Sequence, residues 1–327
     1  MRPPTLERSD PLQLGVQLAT DPVNLPDFVF DDLERLQPQI LKINHNEWPE
    51  KIGQLAIKLP ERNWIIETRP GRGGAAPNDY VREIMPDLDK LLQELTSRSV
   101  GSIALEIQPE PYGELGSLSR LSTDPYELGR WWRAVVEQLR EILPQQIIYL
   151  FPNLADQLNP RGGRELSAQN MRSFLSEMGE FLYGIDGVAV GFEFVTEQLS
   201  GGDLLNYAHT LLTSYSNLGV PLWLTHVWAE LVNVPAGGQP QLYRDLLDMI
   251  EKEFPLVHGV VFFPFYSLRD QFKETTWAGS PALRQLTALM RRQPLPALPE
   301  EPAGYIWLGG AQQLSDGRWQ TVTQVTV

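Results

Sequence analysis

G-S-I-A-L-E-I-Q-P-E-P-Y-G, residues 101–113, reads as a buried strand that ends in a carboxylate. Ile103, Leu105 and Ile107 share one parity, and Ala104, Glu106, Gln108 and Glu110 share the other. A strand sends alternate side chains to opposite faces, so one face here is apolar and the other small or polar. An apolar outer face with a polar inner one suits a strand of a closed barrel wrapped in helices. Pro109 and Pro111 bracket Glu110, ending the ladder and holding the carboxylate in a stiff exit turn.

Working outward from this strand, the same rhythm recurs along the chain. Strand patterns are expected at Leu12–Ala19, Gln39–His45, Trp64–Arg69, Ile147–Phe151, Gly187–Phe194, Pro221–Trp228 and Gly259–Tyr266. Helical periodicity follows each one: Asp27–Leu36, after Trp48, Asp79–Ser97, from an Asp124 cap to about Leu143, Glu165–Tyr183, Leu204–Ser216, Gln241–Glu253 and Ser280–Arg292. Eight strand–helix units in about 280 residues fit a (β/α)8 TIM barrel. A doubly wound open sheet is the competitor, but the Gly-rich phosphate turn expected after its first strand is missing. R-P-G-R-G-G (Arg69 to Gly74) lacks the Lys-Ser/Thr and helix start of a phosphate-cradling loop.

The barrel domain is read as residues 1–292 and a proline-rich connector as 293–303. A short C-terminal β appendage occupies 304–327, with strands at Tyr305–Gly310 and Trp319–Val327 around L-S-D-G-R. This appendage could join the chain to further domains or to an assembly.

The 327 residues carry 41 acidic and 27 basic side chains, a net charge of −14 that disfavours nucleic acid and anionic membrane. With no cysteine, disulfide and thiolate chemistry are excluded and the compartment is left open. His45, His209, His226 and His258 show no metal-ligand spacing, so neither a metal nor another cofactor is expected. No apolar leader opens the chain and no run is long enough to span a bilayer, which points to a soluble protein, cytoplasmic or part of a larger exported one.

In this fold the chemistry sits at the C-terminal strand ends. Candidates there are His45, Asn46, Trp48, Arg69, Glu110, Tyr112, Asn153, Glu193, His226, Trp228, Tyr266 and Asp270. Carboxylates among flat aromatics suit neutral sugar rings, whose C–H faces stack on aromatics while hydroxyls meet polar groups. Lys42, Glu67 and Glu106 share inward parity on successive strands and are read as a buried ion network rather than a catalytic set.

The chain resembles the clan A glycoside hydrolases, retaining (β/α)8 enzymes, on two motifs. Gln108-Pro109-Glu110-Pro111 is similar to the Asn-Glu-Pro motif that ends their fourth strand, where the Glu is the acid/base. Leu222-Trp223-Leu224-Thr225-His226 is similar to the context of their strand-seven nucleophile, also a Glu. The aromatic last strand, F-F-P-F-Y, adds to the likeness.

The resemblance implies a carbohydrate ligand at the mouth and O-glycosidic hydrolysis with Glu110 as proton donor. It also shows two departures. Pro109 replaces the Asn that contacts the sugar 2-hydroxyl, and His226 stands where the nucleophile belongs. A retaining reaction needs two carboxyl groups ~5 Å apart and an inverting one ~6.5–9.5 Å. Glu193 is the first candidate for the second group, Glu230 the next and Asp270 a third, while His226 could serve as base or as an orienting donor. The alternative is a pseudo-glycosidase that binds sugar or acts as a scaffold without cleaving anything.

Overall fold

Eight parallel strands close on themselves in chain order, with β8 paired back to β1. They are β1 (Gln13–Gln17), β2 (Ile40–Asn44), β3 (Asn63–Thr68), β4 (Ile103–Ile107), β5 (Ile148–Pro152), β6 (Gly187–Val195), β7 (Leu222–Glu230) and β8 (Val257–Phe262). The computed structural model describes residues 8, 10–18, 25–68, 76–107, 125–152, 176–177, 179, 185–195, 201–230, 238–266, 277–279, 282–296, 310–313 and 319–322. Among these, the helices are α1 (Asp27–Leu36), α2 (Pro49–Lys58), α3 (Pro77–Thr96), α4 (Pro125–Ile142), α5 (Gly201–Ser216), α6 (Gly238–Glu253) and α7 (Leu283–Met290). The helix expected over 165–183 lies outside the described residues except for 176–177 and 179.

The parity read on β4 organises the whole barrel. Ile103, Leu105 and Ile107 join Leu14, Val16, Leu41, Ile43, Trp64 and Ile66 in the apolar layer beneath the helices. Ile40, Ile65, Ala104, Leu150, Ala189, Trp223 and Val261 form a separate cluster inside. The helices supply matching stripes, such as Val29, Leu33 and Leu36 of α1 and Tyr80, Ile84, Leu88, Leu91 and Leu95 of α3. Pro49 and Pro77 open α2 and α3, where a missing N–H breaks no helical bond. Among the described helices α2 packs on α3, α3 on α4, α5 on α6 and α6 on α7, and α7 returns to α1. No helix among the described residues is long and apolar enough to cross a membrane.

One irregularity shapes the upper barrel. Val190 of β6 pairs with Leu224, but the next residue, Gly191, pairs with His226. On the other side, Leu224 to Val227 spans three residues of β7 against only two, Val260 to Phe262, of β8. One extra residue is thus inserted into β7 around Thr225, a bulge that re-aims the side chains after it. Leu224 and Val227 both face the helices, whereas Trp223 lies inside.

A buried carboxylate on α1 ties the ring to the segment after β8. Gly279, in the left-handed region at φ 72°, donates its N–H to Asp32 Oδ2 at 2.8 Å, and Arg35 lies 3.4 Å from Oδ1. Burial raises the Asp32 pKa above the ordinary value, with Gly279 and Arg35 pulling it back. A folded-state pKa above the unfolded one means that the folded chain holds this proton more tightly. Its stability contribution is present below the unfolded pKa and is lost as pH rises through the folded pKa. Asp32→Asn keeps an acceptor for Gly279 and removes the charge. It should therefore melt higher than wild type at neutral pH, with the gap closing at acidic pH; a gap independent of pH would refute this account.

Beyond α7, the first connector residues lie on the barrel rather than free of it. Arg244 donates to Gln293 O, Gln285 Nε2 reaches Pro296 O at 3.3 Å, and Leu295 packs on the core. The C-terminal hairpin is present as β9 (Gly310–Gln313) and β10 (Trp319–Val322), antiparallel, with 314–318 between them. Residues 305–309, expected in its first strand, lie outside the described residues.

Candidate functional site

The upper interior of the barrel is polar and densely connected. Lys42 Nζ of β2 lies 2.9 Å from Glu67 Oε2 of β3 and 2.8 Å from Glu106 Oε2 of β4, with all three side chains buried. This is the ion network expected from their shared parity. Gln17 of β1 pairs in register with Lys42, and its own carbonyl accepts the N–H of Phe265 at 2.9 Å.

His226 sits on the opposite side of this layer, 8% exposed. Its Nδ1 lies 3.2 Å from Gln17 Oε1, a bond that reaches past β8 from β7 to β1. The imidazole stacks on Phe263 with centroids 4.2 Å apart and planes at 29°. Trp228 meets the same Phe263 edge-on at 6.4 Å. The Phe263–Pro264 peptide bond that follows is cis.

At the end of β2 the chain makes a tight turn through His45, Asn46 and Glu47. The His45 N–H donates to Glu67 O at 2.9 Å and the Glu47 N–H to Asn44 O at 3.2 Å. His45 and Glu47 are buried, Asn46 is exposed, and Trp48 is 52% exposed. The backbone of Trp48 is anchored: it is the N-cap residue of α2, and its carbonyl accepts from both Lys51 and Ile52 at 3.1 Å.

The remaining candidates divide three ways. Tyr266 packs edge-on against Phe28 of α1 at 5.8 Å and belongs to the layer beneath the helices, where burial raises its pKa. Glu193 pairs with Trp228 in the ladder, and Glu230 pairs with Val195 as the last residue of β7. Glu230 therefore ends the strand, where the sequence reading placed it two residues beyond. Glu110, Tyr112, Arg69, Asn153 and Asp270 lie outside the described residues.

Gln17, Asn44, Glu47 and Phe263 complete the buried mouth and were not singled out from the sequence. Gln17 and Asn44 carried a signal, the inward parity of Gln17 in L-Q-L-G-V-Q-L and that of Asn44, two residues after Lys42. No cluster among the described residues could hold a metal ion. What the arrangement offers is a set of hydrogen-bonding groups on aromatic walls, suited to a hydroxylated, uncharged ligand.

No protein-family model matches the chain, and no curated protein matches its sequence. Solved structures do match in fold. A GH128 (subgroup II) endo-beta-1,3-glucanase from Sorangium cellulosum superposes with a TM-score of 0.55 at 12% identity, covering 87% of this chain and all of that one. A GH128 (subgroup I) endo-beta-1,3-glucanase from Amycolatopsis mediterranei, in complex with laminarihexaose, gives 0.51 at 15% identity over 86% and 99%. Xylanase 10B from Thermotoga maritima gives 0.51 at 12% over 86% and 95%. At these identities the likeness is one of fold alone, the (β/α)8 barrel that the strand–helix rhythm of the sequence predicts.

Proposed function

We propose that the mouth of this barrel binds carbohydrate and hydrolyses O-glycosidic bonds, with Glu110 as the proton donor. The observation that carries the reading is the pairing of an exposed indole with buried polar groups at one strand end. Trp48 offers a flat apolar face to solvent directly beside His45 and Glu47. Burying such a face against a sugar ring removes apolar surface from water at about 25 cal/mol per Å². The fold neighbours include endo-beta-1,3-glucanases and a xylanase, and the −14 charge of this chain is compatible with a neutral carbohydrate ligand.

A second reading, a barrel that binds sugar without cleaving it, is favoured by His226. In the place where the resemblance puts a nucleophilic carboxylate, this side chain is stacked on Phe263 and bonded to Gln17. Such a group cannot form a glycosyl ester, so hydrolysis would need Glu193 or Glu230 as the second carboxyl group.

Both readings are tested with β-1,3-glucan, xylan, mannan and aryl glycosides. Wild-type turnover is expected to fall about a hundredfold or more in Glu110→Gln, as for loss of a general acid. Trp48→Ala should weaken polysaccharide binding several-fold while leaving the melting temperature unchanged. A wild type that binds glycan without turnover, with hydrolysis appearing in His226→Glu, would establish the second reading. Binding to none of the glycans would refute both.

A further inference from the structure

Two buried hydroxyls tie the start of α3 to the ends of β3 and β4. The phenol of Tyr80, in the first turn of α3, lies 2.7 Å from Thr68 Oγ1 and donates to Thr68 O at 3.0 Å. Thr68 Oγ1 in turn reaches Glu106 O of β4 at 3.2 Å. Tyr80 and Thr68 are 1% and 0% exposed. Tyr80 belongs to the apolar layer beneath the helices, and Thr68 shares the parity of Trp64 and Ile66 in that layer. Phenylalanine and valine would fill such a layer with no polar group to satisfy. Here each hydroxyl instead serves a main-chain carbonyl at a strand end. The β2–β3 ladder stops at the Asn44–Glu67 pair, so the Thr68 carbonyl lies just beyond it.

Tyr80 also bonds both ends of the β3–α3 connection. Its N–H donates to Ala76 O at 3.0 Å, and its hydroxyl donates to Thr68 O. Trp131 of α4 meets the ring edge-on at 5.1 Å, which sets its orientation. Burial raises the Tyr80 pKa above the ordinary value, so the phenol keeps its proton at neutral pH and remains a donor.

We propose that Tyr80 is a positioning residue for the barrel mouth. It closes the base of the connection 69–75, which carries Arg69, and through Thr68 it steadies the end of β4, three residues before Glu110. The effect on Arg69 and Glu110 rests on the carbohydrate reading above; the clasp at the strand ends does not.

Tyr80→Phe keeps the ring against Trp131 and removes both bonds of the phenol. Hydrogen exchange followed by mass spectrometry is expected to speed up about tenfold in peptides ending β3 and β4, with β7 and β8 unchanged. Unchanged exchange at β3 and β4, or equal acceleration in every strand, would overturn the clasp. Thr68→Val should reproduce the local change and Thr68→Ser, which keeps the hydroxyl, should not. On a glycan that the wild type cleaves, kcat/KM is expected to fall about tenfold in Tyr80→Phe and in Thr68→Val, and no further in the double variant. Thr68→Ser should restore it. Full activity in a Tyr80→Phe barrel with accelerated exchange at the two strand ends would overturn the role at the mouth. A wild type that cleaves no glycan would instead remove the hydrolytic reading, and the exchange result alone would decide the clasp.

Discussion

Lys42→Met is expected to destabilise the barrel by about 3–5 kcal/mol, the range seen when one member of a buried ion cluster is deleted. Two carboxylates, Glu67 and Glu106, share this one ammonium at 2.9 and 2.8 Å, inside a barrel where water does not replace it. Methionine fills a similar volume and leaves both carboxylates without their common partner. The effects should be asymmetric. Glu67→Gln leaves Lys42 bonded to Glu106 and should cost only ~1 kcal/mol, in the range of a single hydrogen bond. The triple variant Lys42→Met, Glu67→Gln, Glu106→Gln carries no charge at all and should recover most of the loss. Urea denaturation of the four proteins checks this; equal costs for Lys42→Met and Glu67→Gln would mean that the cluster is not held together as described.

That cluster was legible in the sequence for a simple reason. Lys42, Glu67 and Glu106 lie on regular strands, so parity alone places them inside, and three charges of mixed sign inside one barrel must pair. The same reasoning recovered the eight strands and the apolar outer layer, because both depend on period and on nothing distant. It could not recover what depends on a break in the period. The β7 bulge adds one residue, and no residue in L-W-L-T-H-V-W announces it, since Thr and His are both tolerated in strands. His226 entered the candidate set through family resemblance, and its neighbours Gln17 and Phe263 are 209 residues before it and just past the end of the next strand.

Tyr266 shows the opposite error of emphasis. Its place at the end of β8 made it a rim aromatic in the sequence, yet it points to Phe28 and the helical layer. Phe263, the residue just past β8, is the aromatic that meets His226. Glu47 was passed over because it lies in a turn, where parity gives no direction. Burial there is decided by the chain doubling back under Trp48, a tertiary outcome.

Trp223→Ala should cost a further 3–5 kcal/mol, and it tests how the barrel below the site is filled. The indole belongs to the inner cluster, pairs in register with Ala189 of β6 and Gly259 of β8, and has Gly187 of β6 close by. A β-carbon at Gly259 would lie 2.9 Å from Trp223 Cε3 and 2.5 Å from Ile40 Cδ1, and one at Gly187 would lie 3.3 Å from Trp223 Cδ1. One large side chain thus takes the space that three ordinary ones would share. Removing it opens a cavity that two glycines cannot close. Gly259→Ala in the wild type should cost about 1–3 kcal/mol through overpacking. In the Trp223→Ala background the indole is gone and Ile40 has room to turn, so the same alanine should cost little or add stability. A double-mutant cycle should then report a coupling of at least about 1 kcal/mol between positions 223 and 259. Strict additivity would mean that the indole does not fill the glycine gaps. The floor beneath the bulge would then be looser than its contacts indicate, and His226 could not be held to one orientation from below.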